Sequence, residues 1–101
     1  MEKAVPGPES RPLSGGRPEP PGAILRREFL IPSGMSERAF AAHVGISLRT
    51  LNEILCDKRR ITPRTAEKLA LAYPRVPAET WNRRQEDYDA WKRAQARHAM
   101  A

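Results

Sequence analysis

Ser47, Leu48, Arg49 and Thr50, with Glu53 one helical turn further on, crowd two hydroxyls, a guanidinium and a carboxylate into one short stretch. Lys58, Arg59 and Arg60 follow closely. A guanidinium grips paired acceptors with its planar fork, a hydroxyl donates or accepts, and clustered cations draw anionic oxygens. These groups suit reversible recognition of a polar, anionic surface. They do not suit bond making, because no acid, base and nucleophile converge. His43 and His98 stand alone, and a metal site needs three or four suitably spaced ligands. Cys56 has basic neighbours that can lower its pKa but no histidine close in sequence, so a spectator thiol is the simpler reading. The expectation is no catalytic residue, no metal, no cofactor and no enzyme.

The elements that must position those residues are legible in Ser36 to Leu55, SERAFAAHVGISLRTLNEIL. Ser36 can cap a first helix by accepting from a free N–H of its first turn. Phe40, Ala41 and Val44 then share an inward face. Gly45 suits the left-handed backbone of a helix end. Ile46 plugs the gap, and Ser47 caps a second helix whose apolar stripe is Leu51, Ile54 and Leu55. Two short helices around such a turn form a helix-turn-helix, although a plain helical hairpin has a similar pattern.

In a helix-turn-helix the second helix enters the DNA major groove with its N-terminal residues at base edges. Arg49 can then bond guanine O6 and N7 together, worth about 1–3 kcal/mol of discrimination, or contact phosphate only. Ser47 and Thr50 reach a base or a phosphate, and Leu48 meets a thymine methyl. Glu53 accepts from cytosine N4, or pairs with Arg49. Ser36, Arg38, Asn52, Lys58, Arg59 and Arg60 are the expected phosphate contacts. Two such helices about 34–36 Å apart read a palindrome, so a homodimer is expected. With about six to ten phosphate contacts per dimer, affinity falls steeply with salt.

The rest of the chain frames this unit. Residues 1–21 hold six of the ten prolines and read as a disordered, Pro/Gly-rich tail; residues 22–99 read as the domain. Ile24, Leu25, Phe29 and Leu30 line a first helix that ends at Pro32, Ser33 and Gly34. Thr62-Pro63 opens another helix, with Ala66, Leu69, Ala70 and Tyr73 on its buried face, and Pro74 stops it. A long last helix runs from about Ala78 to about Ala99 and carries Trp81, Gln85, Tyr88 and Trp91 along one side. Trp81, Tyr88 and Trp91 are a dimer interface or a core seam. The 101 residues carry a net charge of +6, which suits nucleic acid or another anionic surface. One cysteine excludes an internal disulfide. No apolar run is long enough to span a membrane, and no signal peptide is evident, so a bacterial cytoplasmic, nucleoid-associated protein is expected.

Several of these segments, in order, resemble a known family. PG-x-IL-R-x-x-F-L (Pro21 to Leu30), NEIL-x-x-KR-x-IT (Asn52 to Thr62), TA-x-x-LA (Thr65 to Ala70) and W-x-x-x-Q-x-x-YD-x-W (Trp81 to Trp91) are similar to the HigA-type antitoxins of the XRE, phage-repressor-like superfamily. The resemblance implies an all-α, five-helix domain that dimerises, represses its own operon and neutralises a RelE/HigB-like mRNA-cleaving toxin. It also implies that Ser47, Leu48, Arg49, Thr50 and Glu53 face the major groove. This chain departs from the family at Asn82 and Arg84, where apolar residues are usual, and at Asp57, where glycine is frequent. A stand-alone XRE-type regulator without a toxin, and an interaction module that has lost DNA binding, are the alternatives.

Overall fold

The computed structural model describes residues 18–100, with side chains described to His98. Residues 1–17 of the expected tail lie outside the described residues. The domain starts earlier than Gly22: Pro18, Glu19 and Pro20 are half-buried, and Pro21 is already helical and buried. Proline is at home at that first helical position because its missing N–H has no intrahelical acceptor.

Five helices and no strand make up the described residues. The first, α1, begins as Pro21–Leu25, passes through a π-helical turn at Arg26–Leu30 and ends as Ile31–Ser33. The π register answers to Pro32. The Ile31 N–H reaches back to the Arg26 carbonyl, and Pro32 has no N–H to offer Glu28. The orphaned Glu28 carbonyl instead accepts from Arg75 Nη2 at 3.2 Å. Gly34, at φ 71°, then turns the chain into α2, Glu37–Val44. The second helix of the helix-turn-helix, α3, is Leu48–Leu55, named the recognition helix for the role expected of it; α4 is Pro63–Ala72, and the long α5 is Ala78–Met100.

The caps are those the sequence announces. Ser36, Ser47 and Thr62 accept from Ala39, Thr50 and Thr65 backbone N–H groups at 3.1, 3.0 and 3.2 Å. Gly45, at φ 93°, closes α2, and Lys68 Nζ bonds its carbonyl at 3.0 Å. Cations at that end of a helix offset the dipole.

One core joins all five helices. Leu25, Phe29, Phe40, Leu51, Ile54, Ile61, Leu69 and Trp81 are each no more than 3% exposed. Tyr73 has left the α4 helix at its C-cap and is half-buried, its ring between Phe29 at 4.9 Å and Phe40 at 5.8 Å. Ala70 is likewise half-buried, and Thr65 takes the place on the buried face that was expected of it. Trp81 packs on Phe29 at 5.7 Å and is fully buried, so it is core and no part of a dimer surface.

Arg84, one turn along, is buried where the resemblance implies an apolar residue. Its guanidinium lies 5.1 Å from the Trp81 ring, burial pushes its pKa down, and its Nη1 has no hydrogen-bond partner among the described residues.

At Gly22 two helix backbones approach closely. A Cβ there would sit 2.0 Å from the Ile54 carbonyl oxygen, so α1 rests on the backbone of the recognition helix. Backbone cannot rotate away as a side-chain tip does. Gly22→Ala should therefore lower stability by about 1–3 kcal/mol. Thermal unfolding should show this as a fall in Tm of several degrees; an unchanged Tm would show that the two helices are not pressed together.

Candidate nucleic-acid interface

The recognition helix is held at both ends, and each hold fixes part of the exposed surface. At its start, the Ser47 hydroxyl is spent on the cap and also donates to Thr50 Oγ1 at 2.9 Å. Leu48 and Thr50 are half-buried. Arg49 projects furthest, with 84% of its side chain exposed. Ser36 and Arg38, at the start of α2, are exposed.

At its end the helix closes in a Schellman turn. Lys58 N–H bonds the Glu53 carbonyl at 2.8 Å, and Asp57 N–H bonds the Ile54 carbonyl at 3.1 Å. The left-handed position of that turn normally takes glycine, and here Asp57 holds it at φ 59°. A non-glycine residue costs about 1–2 kcal/mol in this region. Tyr88 offsets that cost by donating its hydroxyl to Asp57 Oδ2 at 2.6 Å.

Two more side chains of α5 complete the hold. The buried Gln85 accepts from the Ile61 N–H at 2.7 Å and donates to Asp89 Oδ1 at 2.9 Å. Asp89 in turn accepts from Arg60 Nη2 at 2.7 Å and Nε at 3.0 Å. Burial works to raise the Asp89 pKa, but the bonds from Arg60 and Gln85, with the Lys92 charge, hold it below the ordinary aspartate value.

The expected phosphate contacts therefore divide. Arg60 is turned to Asp89. Arg59 is turned to Glu53, with Nε and Nη2 each 2.7 Å from Oε1. Lys58 is exposed and makes no ion pair among the described residues. Asn52 donates to Glu37 on α2, bracing the two helices against each other, and is half-buried. Glu53 also accepts from Arg49 Nε at 3.3 Å, and Arg59 and Arg49 hold its carboxyl below the usual range. So Arg49, Glu53 and Arg59 are brought into one cluster, with Ser47 and Thr50 forming a pair. Arg60 and Asn52 serve the scaffold, as Trp81 serves the core.

Sequence reasoning placed Gln85 only as a landmark on the last helix and gave Asp89 no role. Their spacing of four is the available signal, since it puts both on one face. Arg75 and Lys68, which bond distant carbonyls, carry no local signal at all.

Removing the Gln85 side chain leaves the Ile61 N–H buried without an acceptor, which costs about 1–3 kcal/mol. Gln85→Ala should lower Tm accordingly; an equal Tm would show that the amide finds another acceptor. The Asp89 contribution has a pH signature. Its folded-state pKa is depressed, so its contribution is present above the ordinary value of 3.8 and lost as pH falls through the folded value. Asp89→Asn should lose less Tm than the parent between about pH 6 and about pH 3.

Comparison with known proteins places this geometry. The helix-turn-helix family HTH_3 matches residues 26–81. Virulence-associated protein I of Dichelobacter nodosus is 41% identical over 69 residues, covering 68% of this chain. The chain spans about 63% of that relative's length. The structure of the Pseudomonas aeruginosa antitoxin HigA with higBA promoter superposes with a TM-score of 0.75 at 32% identity, covering 83% of this chain and 90% of that one. An addiction module antidote protein of the HigA family from Coxiella burnetii superposes with a TM-score of 0.68 at 31% identity, covering 86% and 90%.

Proposed function

This chain belongs to the helix-turn-helix family of the XRE type and is similar to its HigA-type antitoxins, and on that premise we propose that it is a DNA-binding antitoxin. As a homodimer it occupies a palindromic operator over its own promoter and represses its operon. The same protein binds and neutralises a RelE/HigB-like mRNA-cleaving toxin. It does so in the bacterial cytoplasm, at the nucleoid. No described helix is long and apolar enough to cross a membrane.

The observation that carries the DNA half is the exposed N-terminal part of the recognition helix beside a basic loop. The Arg49 side chain is 84% exposed, and among the described residues only its Nε is engaged; Lys58 stands beside Arg59 at the helix exit. The likeness to an antitoxin solved with promoter DNA supports the same reading. Ser36, Arg38 and Lys58 are the proposed phosphate contacts in the free geometry, with Arg59 contributing a remaining N–H. Arg49, Thr50 and Leu48 are proposed to meet base edges. Trp91, half-buried and stacked on Tyr88 at 5.8 Å, is the proposed aromatic contact of the dimer.

The antitoxin half rests on the family likeness. Co-expression with the neighbouring gene, followed by co-purification and a growth assay, tests it. Relief of growth arrest together with a stable complex is expected. The absence of any toxic neighbour would leave a stand-alone regulator.

Mobility-shift titration on the protein's own promoter fragment tests the DNA half. A shift that resists an unrelated competitor and weakens steeply with salt is expected. Arg49→Ala should cost about 1–3 kcal/mol of operator affinity and relax preference at one base pair. Unchanged affinity and unchanged preference would remove Arg49 from base readout.

A further inference from the structure

Glu53 is an expensive choice where it stands. It lies in the last turn of α3, facing the negative end of the helix dipole. Its pairing with Arg49 has the arginine N-terminal to the acid, the weaker order for an i,i+4 pair. Exposed pairs of this kind contribute little to stability. On a surface that meets phosphates, its charge also works against binding.

Its geometry gives a different account. Glu53 is the most covered of three charged side chains, 27% exposed against 84% for Arg49 and 46% for Arg59. Its Oε2 accepts from Arg49 Nε at 3.3 Å, and its Oε1 accepts from Arg59 at 2.7 Å. The backbone beneath it is fixed by Leu51 and Ile54, which are fully buried. Holding Arg49 by Nε leaves both of its terminal nitrogens outward, and these are the pair that can span guanine O6 and N7. Holding Arg59 by Nε and Nη2 leaves Nη1 for a phosphate oxygen.

We propose that Glu53 is a positioning residue that aims Arg49 at a base pair and links it to Arg59, so that base reading and backbone contact act as one unit. The inference rests on the DNA-binding reading above. In this account Glu53 reads no base itself: its two oxygens face Arg49 and Arg59, and its role is to hold them. What it contributes is preorganisation: the long Arg49 side chain is ordered before the DNA arrives, so less freedom is lost on binding.

The test uses the full chain with Glu53→Gln and Glu53→Ala, alone and combined with Arg49→Ala. Each is titrated on the protein's own promoter fragment, on its single-base variants and on an unrelated duplex of equal length. The base pair read by Arg49 is mapped first with Arg49→Ala. At that base pair, discrimination should fall about three- to tenfold in Glu53→Gln, a part of the full worth of a bidentate contact. Affinity for the unrelated duplex should hold or rise, because a negative charge has gone. In the Arg49→Ala background, removing Glu53 should cost no further discrimination. Tm should be unchanged or higher, which separates positioning from a structural role.

Loss of preference at a different base pair, or equal loss in both backgrounds, would mean that Glu53 reads a base directly and would overturn the proposal. Discrimination unchanged in both variants would overturn it as well. Failure of the unsubstituted protein to prefer its own promoter over the unrelated duplex would instead defeat the DNA-binding reading, and this inference with it, before any substitution is compared.

Discussion

At Gly22 the backbone of α1 meets the backbone of the recognition helix, and the rest of the domain depends on that contact. There is no room for a Cβ against the Ile54 carbonyl. The approach brings Ile24, Leu25 and Phe29 within reach of Leu51 and Ile54, so one core serves every helix. It also sets the height at which the recognition helix stands above the surface. A helix carried on flexible side chains can shift by an ångström; one seated on another backbone cannot. The base reading proposed for this helix needs the second kind of support.

The last helix holds the other side of the same element. Gln85, Tyr88 and Asp89 reach the exit of the recognition helix by three different chemistries: an amide carbonyl on a buried N–H, a phenol on a strained aspartate, and a carboxylate on an arginine. This splits a run of three cations that looks uniform in the sequence. Lys58 faces solvent, Arg59 serves Glu53, and Arg60 closes the scaffold. Net charge therefore overstates how much of the positive surface is ready for a polyanion.

Local rules carried most of the fold. Ser36, Ser47 and Thr62 announce helix starts because a cap needs only a side-chain oxygen and a nearby N–H. Gly45 and Pro63 act over similarly short distances. The π turn at Arg26–Leu30 was only half legible: Pro32 lies beside it in sequence, but Arg75, which satisfies the Glu28 carbonyl, lies more than forty residues away. The candidate site divides the same way. The exposed face of Ser47 to Glu53 follows from helical periodicity, and the Arg49–Glu53 pair from a spacing of four. The diversion of Arg60 to Asp89, and of Asn52 to Glu37, depends on how helices pack. No window of sequence contains that information. Trp81 was ambiguous for the same reason: an aromatic on a helix face is core or interface according to what covers it.

Arg84 has a consequence of another kind. A guanidinium keeps its proton across the ordinary pH range, so it does not escape burial by becoming neutral. Its Nη1 and the neighbouring Trp81 Nε1 are both buried without a hydrogen-bond partner among the described residues. The domain thus carries an unrelieved desolvation cost in its interior. That local frustration is concentrated on two neighbouring side chains of α5, close against α1.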